Sequence, residues 1–167
     1  MSDETRAETL ACELEAAFRN RADLYRLLYD ELSATLGAQR AEEILVAAIE
    51  KRGREVAEAA FAGFGPNEAR AIGEAFLAVS PDGGRMYPTD VDREPNGISF
   101  RVRRCPLKDA WVDAGVGEEK LAVLCRIAGA FDRGLFEATG VQFRNVTWKP
   151  GHGSGCCHIF LTDRDSH

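Results

Sequence analysis

Apolar side chains recur at helical spacing through the first half of this chain and switch to strand-like alternation in the second. Leu10, Leu14, Ala17 and Phe18 predict a helix over Glu8–Phe18. Leu24, Leu27, Leu28 and Leu32 share one stripe and predict a second over Arg21–Leu36, closed by Gly37. Ile44, Leu45, Ala48, Ile49 and Val56 predict a third from Ala38 to about Phe61, interrupted by Gly63, Gly65 and Pro66. Ala69, Ile72, Phe76 and Leu77 predict a fourth over Glu68–Val79, which Ser80-Pro-Asp-Gly-Gly stops.

After Gly84 the period changes. Met86–Val91 reads as a strand, Pro95-Asn-Gly as a turn, and Ile98–Arg104 as the returning strand of a hairpin. Ile98, Phe100 and Val102 fall on one face of it, Ser99, Arg101 and Arg103 on the other. Cys105-Pro106 ends the strand, because proline has no N–H for the ladder. Lys108–Gly115 is a short helix candidate. Glu118–Thr139 is a long one, with Glu118 and Glu119 placed to suit the positive end of its dipole. Val141–Trp148 reads as a strand and Pro150-Gly-His-Gly-Ser-Gly as a loop. A last strand alternates Cys157, Ile159 and Leu161 against Cys156, His158 and Phe160. The order predicts an α+β fold: N-terminal helices packed on an antiparallel sheet of about four strands, with one long helix inserted between the strand pairs. The chain has 167 residues, no repeat and no linker-like break. It reads as one domain, with a helical half over 1–80 and a sheet-plus-helix half over 85–163.

Charge narrows the function classes. Lys and Arg number 21 against 27 Asp and Glu, a net charge of −6. Nucleic-acid binding wants a basic footprint, and an anionic membrane surface repels an acidic protein. No apolar run approaches the roughly 20 residues of a membrane span, and Met-Ser-Asp-Glu-Thr-Arg is not followed by the apolar core of a signal peptide. The expectation is a cytoplasmic protein whose five cysteines, an odd number, stay reduced.

Four of those cysteines lie beyond position 104. Cys125 and Asp132 are seven apart on the long helix and share a face about two turns apart, with the small Ala128 and Gly129 between them. That is material for a pocket wall; the alternative is a cysteine packed as a small hydrophobe. Cys105 ends a strand and, by strict alternation, shares the face of Arg101 and Arg103. Those arginines would lower a thiol pKa and hold a substrate carboxylate; alternatively they are ordinary solvent-facing residues. Cys156-Cys157-His158, after His152, is poor zinc material, because the ligands lack paired two-to-four spacing and adjacent strand residues face opposite ways. No metal or cofactor is expected, and Cys156 reads as incidental. The loop lacks the Gly-Lys-Ser/Thr of a P-loop, and Ser154 lacks the strand-to-helix elbow of a serine nucleophile.

Cys105-Pro-Leu-Lys-Asp-Ala-Trp111, Gly115, Cys125, Asp132-Arg-Gly134, the glycine-rich loop and Cys157 together resemble the L-2-amino-thiazoline-4-carboxylic acid hydrolase family. The resemblance covers about residues 98–161. It departs from the family's closing Gly-Asp-Asp-x-Cys-x-Phe strand, since His152-Gly-Ser-Gly replaces the acidic pair and His158 stands where an acid is common. The element order also resembles ligand-binding domains typified by the 4-vinyl reductase domain, which implies the alternative of a non-catalytic small-molecule or metal sensor. The hydrolase resemblance implies opening of a cyclic amidine by water at the amidine carbon. Its implied catalytic set is Cys105, Cys125, Asp132 and Cys157, either with Cys105 or Cys125 as nucleophile or with a carboxylate activating water directly. Arg101 and Arg103 would hold the substrate carboxylate, and Trp111, His152 and His158 are further candidates for substrate contact. The implied partner is a small molecule, without nucleic acid or membrane, and a homodimer is left open.

Overall fold

A computed structural model describes residues 3–153 and 155–164. Ser154, weighed above as a nucleophile, lies outside the described residues. Five helices and a four-stranded antiparallel sheet make up an α+β fold, as the periodicity predicts.

The two expected N-terminal helices are one, α1, Asp3–Leu36. No glycine or proline separates Phe18 from Arg21, so nothing interrupts the backbone ladder there. Gly37, with φ of 85°, ends it and α2 follows over Ala38–Ala60. The predicted leucine stripe of α1 is only partly the inner one. Ala22 and Tyr29 are buried, Phe18, Tyr25 and Leu32 pack beside them, and Leu24, Leu27 and Leu28 remain about half exposed. The partner explains the choice: Trp111 donates its indole N–H to the Ala22 carbonyl at 2.8 Å and stacks on Tyr25, so a small residue and aromatics face it.

α3 spans Ala69–Ala78, and a 3-10 turn over Pro81–Gly84 leads into the sheet. β1 is Thr89–Glu94 and β2 Gly97–Val102, joined at the predicted turn. β1 begins later than the expected 86–91, because Met86 is wholly buried in the connection and Pro88 cannot donate to a ladder. α4, Pro106–Asp113, and α5, Glu118–Thr139, separate this hairpin from β3, Gln142–Val146, and β4, His158–Thr162. The strand order is β1-β2-β4-β3, so the last strand takes a central place. Ile98, Phe100, Ile159 and Leu161 point to the helical side and are buried.

α5 packs most closely on α2, where two glycines allow near backbone contact. A Cβ on Gly134 would fall 2.0 Å from the Glu50 carbonyl oxygen, and one on Gly53 2.1 Å from that of Phe131. This crossing fixes the helix that carries Cys125 and Asp132. Two apolar clusters result. One gathers Ala22, Trp111, Leu124, Cys125 and Ile127 between α1, α4 and α5. The other gathers Ile72, Phe100, Leu135, Phe136 and Leu161 between α2, α3, α5 and the sheet. Cys157 packs against both.

Candidate active site

A cavity of about 300 Å³ opens between the two clusters. Its volume is at the lower end of small-molecule sites. Cys105, Cys125, Asp132, Cys157 and Trp111 all line it, and so does Cys156. Three elements bring them together. Cys105 is the residue preceding the first turn of α4. Cys125 and Asp132 sit on the inner face of α5 as their spacing predicts. Cys156 and Cys157 belong to the extended segment that leads into β4 and pairs with Val102: the Cys156 N–H donates to the Val102 carbonyl, and Val102 donates to that of Cys157, both at 2.9 Å.

That segment corrects the sequence reading of Cys156. β4 begins at His158, so strict alternation does not extend back to the cysteine pair, and both side chains reach the cavity. Cys105, Cys156 and Cys157 are linked through hydrogen bonds between their thiols. The alternation argument fails for Cys105 as well. β2 stops at Val102, the chain bends at Arg103, and Cys105 turns inward with 7% of its surface exposed while Arg101 and Arg103 remain outside.

Arg101 faces away from the helices, across from Asp90 and His158 in the sheet register. Arg103 pairs with Asp90 at 3.3 Å. His158 stacks on Phe160, and its pKa is lowered by burial and by the charges of Arg101 and Arg144. His152 is exposed in the loop. None of these four is among the residues lining the cavity.

The cation that does line it is Arg21 of α1. It reaches from the exposed surface to the cavity, donates to the Tyr25 hydroxyl at 3.0 Å, and lies within charge range of Tyr87, Cys105 and Asp132. Tyr87 lines the cavity too, and burial pushes its phenol pKa up. Spacing did not single out Arg21, because Leu24 and Leu28, the leucines on its stripe, stay about half exposed. Lys108 had no signal either. It is the buried charged residue among the described ones, donates to the Gly155 carbonyl at 2.8 Å, and lies 5.6 Å from the Trp148 ring centre. It thereby ties α4, which begins beside Cys105, to the segment bearing Cys156 and Cys157.

Electrostatically the cavity favours the neutral forms of its thiols and of Asp132. Burial raises Asp132 to about 7, with Arg21 pulling the other way. Burial likewise pushes the Cys125 thiol up to about 12. The hydrogen bond with Cys156, and then burial, hold Cys105 well above the usual thiol range, against the downward pull of the Leu107 and Lys108 N–H groups. The bond from Cys105 favours a Cys156 thiolate, but the bond to Cys157 and burial outweigh it. Cys157 gains from Cys156 and loses more to burial and to the Asp132 charge. Such an array stores protons and awaits a positive charge, which favours thiolate and carboxylate alike.

An enclosed, largely apolar cavity with a few convergent titratable groups defines a small-molecule site. A family model described as L-2-amino-thiazoline-4-carboxylic acid hydrolase matches residues 17–161, and the chain belongs to that family. The match takes in α1 from its middle onward, and hence Arg21, which the resemblance over 98–161 left aside. No curated protein matches the chain. Among the described residues no helix is long and apolar enough to cross a membrane, and no group of three or more His, Cys, Asp or Glu is arranged to hold a metal ion.

Proposed function

We propose that the protein is a cofactor-free hydrolase that opens a cyclic amidine of the amino-thiazoline type. The convergence of Cys105, Cys125, Asp132 and Cys157 on one cavity is the observation that supports this most. An amidinium entering beside Asp132 forms a charge-assisted, planar pair with its carboxylate. Arg21, in place of Arg101 or Arg103, holds the substrate carboxylate at the rim. The same positive charge favours a thiolate nearby, and Asp132 takes up the thiol proton as sulfur attack removes that charge from the amidine, so the substrate activates its own nucleophile.

Cys105 is the preferred nucleophile, because the N–H groups of Leu107 and Lys108 act to lower its pKa and Arg21 is near. Its sulfur bonds to the amidine carbon as the C=N electron pair moves to nitrogen. The ring C–S bond then breaks, and the leaving sulfur takes the proton from Asp132. Water displaces Cys105 from the resulting isothiourea. The product is a carbamoyl amine bearing a free thiol, and the net change is addition of one water. In a reducing, cytoplasmic setting the thiols remain available for this cycle.

Turnover of 2-amino-thiazoline-4-carboxylate by Cys105→Ala, Cys125→Ala and Asp132→Asn tests the reading. Loss of at least a hundredfold is expected for Cys105→Ala and Asp132→Asn, about the scale of one acid–base or nucleophilic contribution. Undiminished turnover in all three variants sinks it. The protonated state of the thiols favours a second reading, a binding domain that holds its ligand without product. A stable complex with unreacted amidine recovered after prolonged incubation would select that one.

A further inference from the structure

The cavity is chemically divided, and its division runs along the boundary between the two apolar clusters. Arg21, Tyr87, Cys105, Cys125 and Cys156 line the part against α1 and α4. The part against α2, α3 and the sheet is lined by Val56, Phe61, Phe76, Phe100, Leu135 and Ile159, with no titratable group between them. Asp132 and Cys157 stand at the join. A compact polar ring such as an amino-thiazoline carboxylate finds all its partners in the first part. It leaves the second part without contacts, and an apolar hollow gains neither hydrogen-bonded water nor dispersion from remaining unfilled.

We propose that the physiological ligand is amphipathic: an amidine-type head held among the thiols and Asp132, carrying an apolar alkyl or aryl tail that lies against Phe61, Phe76, Phe100 and Leu135. The inference rests on the assignment of the head to the thiol end, made above, and adds the substituent that distinguishes this ligand from the bare ring. The aromatic walls favour it directly. Phe76 stacks on Phe100 at 5.8 Å between centroids and meets Phe136 edge-on at 5.0 Å, so these rings are braced from behind and cannot collapse into the space. Both Phe76 and Phe100 line the cavity, so the ring surface not used in that stack faces a tail.

Isothermal titration of the full chain with acetamidine, butanamidine, hexanamidine and octanamidine provides the test. Each probe carries the same amidinium head and differs only in tail length. Affinity is expected to rise about fourfold per added methylene until the apolar part is full. Val56→Phe, which enlarges a side chain in the apolar wall, should weaken binding by a factor that grows with chain length. Asp132→Asn should weaken all four probes by a similar factor. Equal affinity of acetamidine and octanamidine for the wild-type protein overturns the proposal, whatever the variants do. The two readings fail separately. Turnover of the bare thiazoline with no chain-length dependence among the amidines leaves a hydrolase and removes the tail. Chain-length dependence with no turnover of any thiazoline leaves the tail and removes the hydrolase.

Discussion

Asp132→Asn should make the protein more stable at neutral and alkaline pH while abolishing its proposed activity. Burial holds the Asp132 carboxyl at about 7 against 3.8 for the unperturbed group, and Arg21 offsets only part of that rise. An acid whose pKa is raised on folding binds its proton more tightly in the folded chain than in the unfolded one. Its penalty is therefore absent below 3.8, grows between 3.8 and about 7, and is complete above 7. A shift of about three units corresponds to about 4 kcal/mol. Screening by water in the cavity makes this a ceiling. Asparagine has nearly the same shape and no charge to desolvate, so it removes the pH-dependent part alone. Urea unfolding of both proteins at intervals from pH 5 to pH 8 provides the assay. The wild type should lose stability relative to the variant as pH rises, and the gap should level off above pH 7. Parallel profiles across that range would refute the assignment of a buried, proton-retaining Asp132.

Two further outcomes follow from the packing. Gly134→Ala drives a methyl group into the Glu50 backbone, which no rotamer change relieves. Overpacking at the upper end of its usual range costs about 3 kcal/mol and alanine's better helix propensity returns about 1, leaving a net loss of about 2 kcal/mol. The melting temperature should fall by about 4–8 °C, whereas Gly63→Ala, with nothing within 4 Å of its Cβ, should stay near wild type; an unchanged melting temperature for Gly134→Ala contradicts the crossing. Titration of native protein with an aromatic disulfide at neutral pH should show one fast thiol, the exposed Cys12, with the four buried or half-buried thiols reacting only slowly. Fast release of all five, as expected after denaturation, would mean that the cavity does not shield them.

The helices were legible because apolar spacing survives wherever a helix packs on something. α5 matches its expected bounds of Glu118 and Thr139, since its glutamates, inner face and following Gly140 all agree. What escaped was decided by tertiary partners. The choice of Ala22 and Tyr29 over Leu24, Leu27 and Leu28 as the buried face of α1 depends on Trp111, far along the chain. The site followed the same division. Cys125 and Asp132 were legible as a pair because one helix sets their geometry. The reading of Cys105 and Cys156 rested on alternation carried past the ends of their strands, and a period holds only as far as the ladder that imposes it. Arg21 comes to the cavity from the opposite end of the sequence, where spacing alone carries no distance information.

The indole of Trp111 forms one wall of the cavity while that of Trp148 lies outside it, against Lys108. The chain has two tryptophans. The molecule thus contains a paired optical gauge, one fluorophore at the ligand and one set apart as an internal reference. With Trp148→Phe the remaining emission reports the arrival of a ligand without any label, and with Trp111→Phe it reports the state of the segment that Lys108 ties down. Occupancy and rearrangement of the thiol segment can then be timed independently on the same protein, and their order decides whether the ligand meets a finished site or assembles it.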